Sequence, residues 1–176
     1  NNWWGDGSGP YHDDTNLTGT GDAVTDNVVF DPWKTTLLEI EDGTLLIIGS
    51  PLKDHIDVKS KDGGLEVKIR SKGFKQDEFI DAATAASIDQ IVIEGRGGDD
   101  HLKVHKNVTI DAFLLGGDGK DHLHGGGGHN LLDGGAGNDH LHGGDMDDVL
   151  IGGTDKDKLH GKKGNDLLIG GELADN

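Results

Sequence analysis

Seven residues at ninefold spacing carry the chemistry legible in this chain: Asp121, Asn130, Asp139, Asp148, Asp157, Asp166 and Asp175. Each stands sixth in a unit that opens with glycine. Six such units run without insertion from Gly116 to Ile169, reading GGDGKDHLH, GGGGHNLLD, GGAGNDHLH, GGDMDDVLI, GGTDKDKLH and GKKGNDLLI; a seventh, GGELADN, begins at Gly170. Within a unit the first six residues form a turn, in which glycines supply positive φ and bare backbone carbonyls while residue six supplies a carboxylate. Such oxygens are hard donors, and Asp118, Asp145 and Asp155 offer more of them.

The remaining three residues of each unit form a very short strand. Its middle residue is apolar and points inward, and its neighbours point outward. Two units then make one coil of a flattened solenoid, and residues 18 apart stack about 4.8 Å from each other in neighbouring rungs. This sorts the sixth-position residues into two columns. One edge carries Asp121, Asp139, Asp157 and Asp175; the other carries Asn130, Asp148 and Asp166.

The pattern G-G-x-G-x-D-x-U-x, with U a large apolar residue, resembles the RTX calcium-binding nonapeptide repeat. The resemblance implies an all-β, right-handed parallel β-roll in which calcium sits between successive turns of one column, held by aspartate oxygens and backbone carbonyls. Carried over to this chain, it implies ions between Asp121 and Asp139, Asp139 and Asp157, and Asp148 and Asp166. The glycines at the matching turn positions include Gly116, Gly119, Gly135, Gly137, Gly153 and Gly164. Departures fall at Asn130, which replaces the aspartate, at Met146 and Asp155, which replace the fourth glycine, and at Lys162, which replaces the second. Sites at those turns are expected to be weakened, altered or empty.

The chain of 176 residues divides into three stretches. Residues 1–33 hold all three tryptophans and the only tyrosine. NNWWGDGSGP followed by GDAVTDNVVFDPW resembles the closing segment of secreted right-handed parallel β-helix proteins. That likeness, with the start at Asn1, implies a cap or β-helix end and a longer precursor. Residues 34–115 read as irregular solenoid coils with inserted loops, because Gly49 with Asp54 and Gly95 with Asp100 repeat the glycine-to-aspartate spacing of the Asp121 column. The Asp100 turn keeps Gly95, Gly98 and Asp99 and is a candidate calcium site; Pro51 and Leu52 argue against one at Asp54. Between Asp57 and Ile91 lies an excursion with one alternating strand, LEVKIR, and a short helix or loop, DAATAASID. Residues 116–176 are the regular β-roll.

Phasing the strands defines two outer faces. On one, His55, His101, His122, His140 and Lys158 form a column beside Asp57, Lys103, His124, His142 and His160. This is a solvated polar face, a pH-responsive one, or a weak transition-metal site at His122, His124, His140 and His142. The other is apolar: Leu46, Val92, Phe113, Leu131, Val149 and Leu167 beside Ile48, Glu94, Leu115, Asp133, Ile151 and Ile169. Such a patch marks an interface unless the excursion covers it.

A net charge of −17 makes calcium the natural counterion and nucleic acid an unsuitable partner, and no cysteine is present for thiolate metal sites or disulfides. No run approaches a membrane span. No nucleophile elbow or phosphate loop emerges, so the expectation is a non-enzymatic module. It would be extracellular or at the cell surface, folded by calcium, and would associate with itself or with an upstream β-helix domain in a surface layer, matrix or filament. The alternative is an accessory module engaging carbohydrate in a polysaccharide-active enzyme.

Overall fold

The computed structural model describes residues 37–172. It opens with an antiparallel hairpin, β1 (Leu37–Glu41) and β2 (Thr44–Ile48), turned by Asp42 and Gly43 at φ 47° and 75°. An antiparallel meander follows: β3 (His55–Lys61), β4 (Gly64–Ser71) and β5 (Phe74–Ile80). The one-turn helix α1 (Ala82–Ala85) is capped by Asp81, whose carboxylate accepts from the Ala83 and Thr84 N–H groups at 2.8 and 3.2 Å. From there the chain winds regularly through β6 (Gln90–Gly97), β7 (His101–Val104), β8 (Asp111–Asp118), β9 (His122–His124), β10 (Asn130–Ala136), β11 (His140–His142), β12 (Val149–Thr154), β13 (Lys158–His160) and β14 (Leu167–Glu172).

The strands form two seven-stranded sheets, ordered β1-β2-β6-β8-β10-β12-β14 and β13-β11-β9-β7-β3-β4-β5, and from β6 onward successive strands alternate between them. Apart from the hairpin and the meander, all pairings are parallel. The chain is a β-solenoid, and its repeats form a β-roll. The 18-residue rung is explicit in the register: Leu123 pairs with Leu141, and Leu132 with Leu150. Between the sheets lies a narrow core. Leu45, Ile47, Ile91, Ile93, Leu114, Leu132 and Leu150 line one wall, facing Ile56, Leu102, Leu123 and Leu141, all with 0% exposure. In the regular rungs each short strand contributes one inward leucine, so the core continues only because identical residues stack.

The earlier rungs are where the sequence places them. The Asp54 carbonyl accepts from His101 N–H at 2.9 Å and the Asp100 carbonyl from His122 N–H at 2.9 Å, which puts Asp54, Asp100 and Asp121 on consecutive rungs. LEVKIR lies in β4 and DAATAASID holds α1. The strand pairing decides between the two alternatives left open for the apolar face. The excursion does not cover the apolar face: β4 and β5 extend the histidine sheet edgewise through β3, where cross-strand backbone pairing satisfies their N–H and C=O groups. β5 went unread because FKQDEFI sets Phe74 and Phe79 about a charged middle and buries only Ile80. The aromatic segment 1–33 and Asp175 lie outside the described residues.

Candidate metal centre

Every turn that carries the chain from the apolar sheet to the histidine sheet ends in an inward-facing aspartate. Asp54, Asp100, Asp121, Asp139 and Asp157 are 0, 1, 0, 0 and 2% exposed. They are tied in series. Asp54 N–H donates to Asp100 Oδ1 at 2.7 Å, Asp100 N–H to Asp121 Oδ1 at 2.8 Å, Asp121 N–H to Asp139 Oδ1 at 2.7 Å, and Asp139 N–H to Asp157 Oδ1 at 2.8 Å. Each carboxylate thus reaches back one rung with one oxygen. The second oxygen, Oδ2, of Asp100, Asp121 and Asp139 is buried with no hydrogen-bond partner. An orphaned carboxylate oxygen is costly in the interior, and a cation is the partner that removes the cost.

A cradle surrounds each orphan. A Cβ placed on Gly134 would meet Asp139 Oδ2 at 2.5 Å and the Gly152 carbonyl oxygen at 2.6 Å. Gly116 repeats this with Asp121 Oδ2 and the Gly134 carbonyl, and Gly95 with Asp100 Oδ2 and the Gly116 carbonyl. Only glycine leaves this space open, with a carboxylate and a carbonyl of the next rung facing it. Gly137, at φ +129°, stacks directly on the Gly119 carbonyl, so a side chain there would also collide with backbone. Gly117, Gly135 and Gly153 continue the strand register at φ +104°, +97° and +108°. Asp155, at the fourth-glycine position, adopts φ +75° and so keeps the turn. Asp118 and Asp155 are exposed on this edge.

Electrostatics follow from burial. Desolvation pushes the carboxyl groups of Asp100 and Asp139 up to about 7 and that of Asp121 to about 6, with neighbouring carboxylates adding to the shift. Asp54 differs: Ser50 stands at the second-glycine position, and its N–H and hydroxyl reach Asp54 Oδ2 at 2.5 and 3.0 Å. Asp54 Oδ2 is thus satisfied by the chain itself. Ser50 adds a reason, beside Pro51 and Leu52, against calcium at this turn.

The opposite edge repeats the cradle, since a Cβ on Gly143 would meet Asp148 Oδ2 and the Gly161 carbonyl oxygen, but its side chains are satisfied otherwise. Asn130 and Asp148 are buried, and Asp166 is half-buried. Asn130 N–H donates to Asp148 Oδ1 at 2.7 Å and Asp148 N–H to Asp166 Oδ1 at 3.0 Å. One rung earlier the register puts Ala112 opposite Asn130, so no carboxylate precedes it in this column. Asp145 and Met146 are exposed, and Asp145 pairs with Lys163 at 3.2 Å. Gly164 lies on this edge at φ +113°.

The histidine columns have the expected register: His55, His101, His122 and His140 followed by Lys158, and Lys103, His124, His142 and His160. Ring centroids are 4.7 Å apart for His122 and His140, 4.8 Å for His124 and His142, and 5.0 Å for His142 and His160. Desolvation holds His101, His140 and His142 below the usual imidazole range and His124 down to about 4. Among the described residues, no three histidine, aspartate or glutamate side chains converge to hold one ion. The rings lie side by side, and the geometry offers no chelate for the transition metal considered at His122, His124, His140 and His142.

The model of the RTX calcium-binding nonapeptide repeat (4 copies) matches residues 115–145 and 142–176. No curated protein and no solved structure matches the chain. The family match covers the stretch in which Asp121 and Asp139 stack with their buried oxygens facing glycine cradles. The chain therefore carries RTX calcium-binding nonapeptide repeats over residues 115–176, and those among the described residues form a β-roll.

Proposed function

We propose that the protein is a non-enzymatic, extracellular structural module whose β-roll is completed by calcium and which associates through its apolar sheet. The observation that carries the calcium part is the file of buried carboxylates with unpartnered oxygens at Asp100, Asp121 and Asp139. Asp100, Asp121, Asp139 and Asp157, with the glycine carbonyls beside them, would hold the ions, whose positive charge offsets the like charges stacked along the edge. The chain's own part is to preorganise those oxygens: the N–H-to-Oδ1 series fixes each carboxylate, and the glycines keep the space beside it clear. With a formal charge of −17, the calcium-free chain repels itself, so ion binding and folding are coupled.

Association is supported by the sheet opposite the histidines. Phe113 and Leu167 are 37 and 55% exposed on it, next to half-buried Leu131 and Val149, and the meander lies elsewhere. Contiguous exposed aliphatic groups of this kind favour contact with a second copy or a neighbouring domain.

The test is a calcium titration of the chelated protein followed by circular dichroism and sedimentation velocity. The expected result is a gain of β-structure together with larger sedimenting species. Folding to a compact monomer would remove assembly and direct attention to carbohydrate engagement. Unchanged signals on adding calcium would overturn the proposal.

A further inference from the structure

The two edges of the roll come from one repeat, yet their sixth-position side chains are satisfied differently. On the first edge the Oδ2 atoms of Asp100, Asp121 and Asp139 lack partners. On the second, Gly126 N–H donates to Asn130 Oδ1 at 3.0 Å, and Gly144 N–H donates to Asp148 Oδ2. The cause is local backbone. Second-position glycines of the first edge run on in the strand at positive φ, whereas Gly126 and Gly144 do not have positive φ and turn their N–H groups onto the side chain.

Two further donors cross the second edge. Asn130 Nδ2 donates to the Gly128 carbonyl and to Asp148 Oδ1, both at 2.8 Å, joining two rungs through an amide. Lys162, at a glycine position with φ +77°, reaches back one rung, and its Nζ donates to the Gly143 carbonyl at 2.7 Å. Gly143 is the second-edge counterpart of Gly134 and Gly152, whose carbonyls line first-edge cradles. The Asp148 and Asp145 carboxylates act on the same ammonium.

We propose that the chain's own donors close the second edge, the Asn130 amide and the Lys162 ammonium standing in for calcium, so that calcium loads the roll along the Asp121 edge alone. This rests on the calcium-binding reading above. It departs from the expectation of an ion between Asp148 and Asp166, because Asp148 has both oxygens engaged by the chain. The consequence is a one-sided module: one edge is set by calcium concentration, and the other is a permanent seam that keeps the rungs in register.

The test counts calcium bound per full-length chain by equilibrium dialysis with elemental analysis, alongside calorimetric titration. Asp148→Asn is expected to leave the count unchanged, and Asp121→Asn is expected to lower it. The double change Asn130→Asp with Lys162→Gly removes both stand-in donors and is expected to raise the count by at least one ion. A drop in the count for Asp148→Asn would overturn the one-sided arrangement even if the double variant failed to fold. An unchanged count in a folded double variant would overturn the stand-in role. Wild-type protein that bound no calcium would instead remove the reading on which both depend.

Discussion

Asp139 shows how one side chain serves two purposes. Its Oδ1 accepts the Asp121 N–H and holds two rungs together, while its Oδ2 waits beside Gly134. Asp139→Asn keeps an acceptor for the first purpose and removes the charge needed for the second. Calcium binding is expected to weaken by about tenfold or more in calorimetric titration, since each tenfold is about 1.4 kcal/mol. The same substitution alters calcium-free stability. Burial raises the Asp139 carboxyl from 3.8 to about 7, so the folded state holds its proton more tightly than the unfolded state. Its contribution is complete below the lower value and is lost as pH rises through the upper one. Chemical denaturation of chelated protein is therefore expected to show a smaller loss between pH 5 and pH 8 for Asp139→Asn than for wild type, with Asp100 and Asp121 supplying the remaining slope. His124, held down to about 4, acts in the opposite direction: its contribution falls as pH drops below 6.5. It is unaffected by the substitution, so comparing the two proteins isolates the carboxylate.

Strands of three residues have little to hold them apart from stacking. β11 buries one side chain, Leu141, at 0% exposure between Leu123 and Leu159. Leu141→Ala is expected to cost about 2–5 kcal/mol, because a cavity in a single-file core has few neighbours able to collapse into it. Thermal melting of the calcium-loaded protein would show this as a lower midpoint with the calcium count retained. The outer surface of the same sheet carries imidazoles in register, and desolvation lowers those of His101, His124 and His142, which eases charge repulsion within the stack. The meander grafted onto this sheet is polar outside in another way: Glu66 is clasped by Lys59, Lys61 and Lys68 at 2.8–3.0 Å and held down to about 2. These exposed pairs define an ionic face and add little to stability.

For the whole molecule, the two sheets differ in what they offer a partner. The apolar sheet shows Val149 and Ile151 in register with Leu131 and Asp133 on one side and with Leu167 and Ile169 on the other. Val149→Asp with Ile151→Lys is expected to leave calcium binding intact and abolish self-association in sedimentation velocity. Loss of folding would show instead that this face is buried within the chain. Such a division, with a calcium edge, a sealed edge, an apolar face and an imidazole face, gives a solenoid four distinct sides on one repeating scaffold.

The nine-residue period by itself determined the solenoid, the columns and both outer faces. Spacing fixes which residues lie one rung apart, and glycine with aspartate in phase has few other uses. Hence Asp54, Asp100 and Asp121 could be aligned across irregular sequence, and the pairings of His122 with His140 and Phe113 with Leu131 agree with the phasing. Two matters were left to the tertiary structure. Where the meander docks depended on an open sheet edge, since backbone pairing beside β3 satisfied its polar groups and no residue pattern names that edge. Which aspartates keep a free oxygen depended on the direction of one N–H at the second residue of each turn. At Gly117 and Gly135 the preceding strands β8 and β10 continue into the turn, whereas β9 and β11 stop short of Gly126 and Gly144, whose N–H groups turn onto the side chain. One repeat thus yields two edges of different chemistry, because its backbone enters the turn from two different sheets and because Asn130 and Lys162 depart from the repeat on one of them.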